Sequence, residues 1–262
     1  MAVRNNVITI LTLFGGRWHT LEPFLHGLMN LDWPLKNLQL LWYSNAEDRF
    51  AECLTWQKQM LEKKGYRIRL IHDTSLPQAA RLFHEGDQRT EEHLNTIAAL
   101  YNAAWQYVET DDVLALEDDV LVTSHALKRM IQAIRDYPKA AVVVSCAFDR
   151  HNDGVVFVWD VVKAFANGSP NKVRYELVQV GRPWGVRKVA AGGLCCTFIR
   201  RSRLPISLNK KYPFKVWHSI EGKEHIGGCD LTFCLETEEG GGEIYADFDV
   251  RPLHIDSRAR IH

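Results

Sequence analysis

The 262-residue sequence predicts an α/β fold, with a mostly parallel central sheet flanked by helices and a smaller mixed part C-terminal to it. Three observations predict it. Up to Cys146, apolar strand-like runs alternate with segments of helical period, as parallel strands joined by crossover helices do. Those runs are continuously apolar rather than alternating, the pattern of strands covered on both faces. From about residue 150 the rhythm changes to short strand-like pieces mixed with Gly, Pro and aromatic residues.

Val7 to Phe14 is the first such strand and ends at Gly15–Gly16. A helix with Leu21, Leu25 and Leu28 on one face follows and stops near Asp32–Trp33–Pro34. Leu38 to Tyr43 is the second strand. Ala46 to Lys64 is a helix with Phe50, Cys53, Leu54 and Leu61 inward, closed by Gly65. Arg67 to His72 forms a third strand, and Asp73 to Thr90 has no period and reads as a loop. Leu94, Ile97, Ala98, Tyr101, Trp105 and Val108 give the strongest helical spacing in the chain. Asp112 to Leu116 is a buried strand, and Asp111–Asp112 before it read as a plain turn. Thr123 or Ser124 is placed to cap a helix with Leu127, Met130, Ile131 and Ile134 inward, broken by Pro138. Ala140 to Cys146 is again a strand. Beyond it come strand-like pieces at Val155–Trp159, Val173–Val180 and Leu194–Ile199, a helix near Leu231–Glu238 and a strand near Ile244–Phe248. No repeat or linker divides the chain, so residues 1–262 read as one domain with halves 1–150 and 151–262.

Lys+Arg and Asp+Glu both number 32, and this zero formal charge argues against a strongly electrostatic, sequence-blind nucleic-acid binder while leaving a local basic patch open. The six cysteines form no CxxC pair and several lie in apolar runs, so they read as reduced buried thiols. The apolar run near the start is too short for a membrane span and lacks a signal-peptide layout, so the expected location is cytoplasmic, with no transmembrane segment.

The most informative stretch is Leu114–Ala115–Leu116–Glu117–Asp118–Asp119–Val120, where three successive acids close an apolar strand. Acids beside a core are costly unless a cation or a hydrogen-bond network compensates them. In open α/β sheets, ligands sit at the carboxyl ends of strands. Oxygen-rich sites select Mg²⁺ or Mn²⁺, which complete their coordination with substrate phosphates. One reading makes Asp119 a ligand of such an ion, with Glu117 and Asp118 on the ribose, the sugar or metal-bound water. The other is a solvated turn or an acidic helix start.

These residues resemble a family. Leu116–Glu117–Asp118–Asp119–Val120 looks like the short acidic motif of GT-A glycosyltransferases, often DxD and sometimes EDD, and the order of landmarks is similar to the inverting family 2 of that fold. The Val7–Phe14 strand, the helix ending at Asp32–Trp33–Pro34 and Tyr43–Ser44–Asn45–Ala46–Glu47–Asp48 resemble its nucleotide-binding start. The family's acid for the base is replaced here by Ser44 and Asn45, with Asp48 three beyond. Thr96 to Ala104 resembles the helix that carries a family Asn, matched to Asn102, although the Arg that often precedes it is Tyr101. Ala191–Gly192–Gly193 through Ile199–Arg200–Arg201 resembles the acceptor-side segment that ends in basic residues. Gly227 to Glu236 looks like the acidic helix start, with Asp230 on the position of the catalytic base and Thr232 on that of the second acid. Val250 to His254 resembles the closing strand with its late His, a metal ligand in many such enzymes.

The resemblance implies a Rossmann-like GT-A domain, with 1–150 binding the nucleotide sugar and 151–262 the acceptor. It implies transfer of a hexosyl group from a nucleotide-sugar donor, a UDP-sugar favoured, to an acceptor hydroxyl with inversion. Asp119 and His254 would hold Mn²⁺ or Mg²⁺, and Asp230 would act as general base. Asn45, Asp48, Asn102, Glu117 and Asp118 would contact the donor. His254 also reads as a surface residue of a basic tail with Arg251, Arg258, Arg260 and His262, and Asp230 as an ordinary helix cap. Trp184–Gly185 reads equally as a lid with a stacking aromatic or as plain loop, and Trp217 as core or acceptor lining. Gly240–Gly241–Gly242 reads as a helix end. The acceptor stays open among glycan, lipid-linked sugar, protein, small molecule and modified nucleic-acid base. Two other readings compete. A sugar-nucleotide nucleotidyltransferase would need a Gly-rich basic phosphate loop, of which Gly15–Gly16–Arg17 is a faint version; the other is a non-catalytic nucleotide- or carbohydrate-binding protein.

Overall fold

The structure is a computed structural model that describes residues 7–77, 91–147, 155–163, 173–179, 184–208, 213–218 and 226–255. The alternation read from the sequence becomes β1 (Ile8–Phe14), α1 (Trp18–Met29), β2 (Leu38–Ser44), α2 (Asp48–Glu62), β3 (Ile68–His72), α3 (Glu91–Trp105) and β4 (Asp112–Leu116). There follow β5 (Val120–Leu121), α4 (Ala126–Asp136), β6 (Ala140–Ser145), β7 (Val155–Lys163), β8 (Val173–Gln179), β9 (Val186–Val189), β10 (Ala191–Gly192) and β11 (Cys196–Arg200). The chain closes with β12 (Trp217–His218), β13 (Ile226–Gly227), α5 (Cys229–Glu239), β14 (Glu243–Asp247) and β15 (Leu253–His254).

An eight-stranded sheet runs in the order β3-β2-β1-β4-β11-β6-β14-β9. The β3-β2-β1-β4 side is parallel, while β11 enters antiparallel between β4 and β6, and β9 lies antiparallel on β14. Small sheets complete the C-terminal part: β10-β7-β8, β12-β13 and β15-β5.

Successive residues of a strand face opposite sides, so the continuously apolar strands feed two cores. Leu114 and Leu116 of β4 join the layer of α1, α2 and α4, with Phe24, Phe50, Leu54, Leu127 and Met130. Val113 and Ala115 join the layer of α3 and α5, with Tyr101, Trp105 and Phe233. The expected inward residues of α2 and α4 are buried, except Cys53, which is half-buried. Gly65, at φ +94°, turns the chain after α2.

Three expectations change. The residue preceding α4 is His125, and neither it nor Thr123 nor Ser124 caps the helix through a side chain; the Ser124 carbonyl instead accepts from Asp32 N at 2.8 Å. Asp111–Asp112 are not a plain turn: Asp112 belongs to β4 and is 3% exposed. The strand expected over Val155–Trp159 is longer, reaching Lys163, because it pairs with β8 along its second half. The six cysteines are free, and five are buried. Residues 78–90 of the expected loop, and Arg258, Arg260 and His262, lie outside the described residues. Among the described residues no helix is long and apolar enough to cross a membrane.

Candidate active site

Strand β4 delivers the three acids to the carboxyl end of the parallel half-sheet. Glu117 N still bonds across to Cys195 O beside β11 (2.9 Å), and the chain then turns, Val120 N closing on Glu117 O (3.2 Å). The acids therefore occupy a tight turn between β4 and β5. Strand β5 pairs antiparallel with β15, placing His254 opposite Val120, and Ile255 N donates to Asp119 O at 2.9 Å. This short ribbon brings a residue near the end of the sequence onto the acid turn. Glu117, Asp119 and His254 each offer a ligand atom, all within 4.8 Å of one another. Asp119 and His254 are buried. Two carboxylates and an imidazole are a donor set that fits a divalent cation, and the imidazole favours a transition ion such as Mn²⁺ over Mg²⁺.

Asp118 faces the β1 end instead. Its Oδ2 accepts from Gly15 N (3.3 Å) and its Oδ1 pairs with Arg17 Nη2 at 2.5 Å. The second terminal nitrogen of Arg17 pairs with Asp119 Oδ2. Burial raises the Asp118 carboxyl to about 6, the Arg17 charge opposes this, and Asp119 adds to it. Burial works against the Arg17 charge in turn, but Asp118, Asp119 and Glu117 outweigh it and hold the guanidinium above its ordinary value.

Asp230 opens α5 but does not cap it. The cap position is Gly228, and the Asp230 Oδ1 accepts from Leu231 N at 2.8 Å. A Cβ on Gly228 would come within 2.4 Å of that oxygen, so the glycine is what lets the carboxylate fold against the helix start. Tyr101 of α3 is buried in the layer that also holds Phe233 of α5. Its buried phenol is pushed well above its usual range, by burial first and then by neighbours that include Glu117 and Asp230.

The other expected donor contacts are dispersed. Asn45 is buried at the carboxyl end of β2, its amide donating to Pro77 O at 2.6 Å. Asp48 is exposed at the start of α2. Asn102 spends both ends of its carboxamide on Phe214, accepting from its N–H (2.9 Å) and donating to its carbonyl (2.7 Å), and so pins α3 to residues 213–216. Trp184 is 74% exposed, and the Arg251 guanidinium lies 4.6 Å from its ring centroid. Its neighbour Gly185 (φ +90°) is held by Asp249, which with Asp247 also binds Arg129. The side chains of Trp217 and His218 lie outside the described residues. Gly240 and Gly241 end α5.

Sequence reasoning missed Arg17. Its signal was the basic residue directly after Gly15–Gly16, just past the end of the strand next to β4, where a short step across the sheet reaches the acids. The basic residues ending the Ala191–Arg201 segment also act elsewhere than its acceptor-side resemblance suggested. Arg200 grips Asp112 at the far end of β4, with Nε to Oδ1 at 2.8 Å and Nη2 to Oδ2 at 2.9 Å.

No protein-family model and no curated protein sequence matches this chain. Solved structures do match it. A mannosyltransferase, PcManGT from Pyrobaculum calidifontis, in complex with GDP-Man and Mn²⁺, is 13% identical with a TM-score of 0.57, over 94% of this chain and 56% of that one. S. aureus TarS (residues 1–349) is 12% identical with a TM-score of 0.54, over 94% and 59%. GalNAc-T7 with UDP, GalNAc and Mn²⁺ is 11% identical with a TM-score of 0.61, over 95% and 43%. The chain spans about half the length of these structures. It has the GT-A glycosyltransferase fold.

Proposed function

We propose that this chain is a metal-dependent glycosyltransferase that moves a sugar from a nucleotide sugar to an acceptor hydroxyl. The observation that carries the reading is the convergence of Glu117, Asp119 and His254 at the carboxyl end of β4. Two of the similar structures hold Mn²⁺ with a nucleotide or nucleotide sugar, in keeping with such a site. Residues 1–150 would bind the donor, a UDP-sugar in preference, and residues 151–262 the acceptor.

Glu117, Asp119 and His254 would hold the divalent cation, which would supply positive charge to the diphosphate. Asp118 belongs to the frame of the site, anchored by Gly15 N and Arg17. Asp230 orients the acceptor hydroxyl and takes its proton as the new bond to the anomeric carbon forms and the bond to the diphosphate breaks. Attack from the side opposite the leaving group inverts the anomeric carbon. Asn45 and Asp48, at the end of β2 and the start of α2, would meet the nucleoside.

The test is a panel of UDP-, GDP- and other nucleotide sugars, assayed for transfer or hydrolysis with Mn²⁺ and after exhaustive chelation. Release of nucleoside diphosphate that needs Mn²⁺ and falls in Asp119→Asn supports the reading. Turnover indifferent to chelation, or pyrophosphate release from nucleoside triphosphate and sugar phosphate, overturns it.

A further inference from the structure

Arg17 is the feature of this site that the proposed chemistry does not use. Its backbone is fixed: Gly16, at φ +89°, turns the chain just before it, and the Arg17 carbonyl accepts from Thr20 N (3.3 Å) and Thr20 Oγ (2.9 Å). Its side chain, 33% exposed, crosses from the end of β1 to the acids after β4. There it is shared between two carboxylates, one terminal nitrogen on Asp118 and the other on Asp119. Its Nε–H is buried with no acceptor.

The Arg200–Asp112 pair shows what a committed structural arginine looks like in the same protein. Arg200 uses Nε and one terminal nitrogen to grip both oxygens of a single carboxylate. That two-point fit is the strong geometry for a guanidinium. Arg17 gives up the fit, leaves a donor unsatisfied and places its charge on Asp119, one of the three residues grouped as cation ligands. Charge, rather than a closed hydrogen-bond pattern, holds it in place.

We propose that Arg17 is a stand-in cation: it offsets part of the charge of Asp118 and Asp119 in the metal-free protein and gives up Asp119 when the divalent ion binds. The inference rests on the cation site proposed above. Guanidinium and metal then compete for one carboxylate, and their mutual repulsion lowers metal affinity. A weakened ion comes and goes with the diphosphate instead of residing permanently, and the acids stay in ligating position in its absence.

The experiment compares wild type with Arg17→Met and Arg17→Lys, following Mn²⁺ by calorimetry and by the EPR signal of free Mn²⁺, with circular dichroism reporting the fold. Arg17→Met binds Mn²⁺ about tenfold tighter than wild type. Its metal-free form melts about 4 °C or more lower, and Mn²⁺ raises its Tm more than that of wild type. Arg17→Lys, which cannot span both carboxylates, lies between the two. Unchanged or weaker Mn²⁺ binding in folded Arg17→Met overturns the proposal and makes Arg17 a support of the metal site. If Arg17→Met does not fold, Arg17→Lys decides: tighter binding than wild type upholds the proposal, and equal or weaker binding overturns it. Absence of Mn²⁺ binding in all three proteins overturns the metal reading itself.

Discussion

The two ends of β4 both carry acids, and the protein treats them oppositely. At the start of the strand, Asp112 is gripped at two points by Arg200, and Asp111 accepts from Ser202 N (2.6 Å) and Ser202 Oγ (2.8 Å). Each carboxylate there has a matched protein donor. At the other end, Asp118 and Asp119 share Arg17, and Asp119 and Glu117 converge on His254. The first end is closed by matched protein donors; at the second, one arginine serves two carboxylates. Acidic character alone thus says little about function. What separates an anchor from a ligand set is whether the facing element supplies an arginine fork or another ligand.

The comparison can be broken or sharpened by substitution. Asp119→Asn should lower turnover about 10³-fold with the fold retained, because it would remove a ligand of the proposed cation, whose charge would stabilise the leaving diphosphate. The check is steady-state kinetics beside circular dichroism. Loss of the fold instead would make the two ends equivalent and break the contrast. Asp230→Asn should reduce kcat by about 10²-fold while Mn²⁺ affinity is unchanged, separating proton transfer from cation binding.

Asp112→Ala should do the reverse: it leaves Arg200 without its partner and costs about 3 kcal/mol in chemical denaturation, while activity per folded molecule is kept. Asn102→Ala removes two bonds to the Phe214 backbone and should cost about 2 kcal/mol. An effect on donor affinity larger than on stability would restore Asn102 to the donor site. Trp184→Ala should change stability by less than about 0.5 kcal/mol, since the side chain is mostly exposed. A several-fold rise in KM for an acceptor in that variant would assign the ring to acceptor stacking.

Much of the fold was legible because local pattern and burial agree. The continuous apolar runs of β1, β4 and β6 are buried on both faces, and all the inward residues expected for α2 and α4 except Cys53 are buried. The C-terminal half was less legible. The two-residue strands β10, β12, β13 and β15 are too short to carry a period, and each exists only through its partner.

The candidate site divides along the same line. By itself the sequence placed three acids at the carboxyl end of a buried strand, since strand polarity and apolar runs are local properties. It also marked Asp230 and His254 through resemblance in order. Only the tertiary structure decided that Glu117 joins Asp119 and His254 while Asp118 turns to Gly15 and Arg17, and that Asp112 is an anchor. The physical reason is that a carboxylate's role follows from the charges and donors within a few ångströms of it. Here those come from β1, β11 and β15, distant in sequence and set beside β4 by sheet pairing.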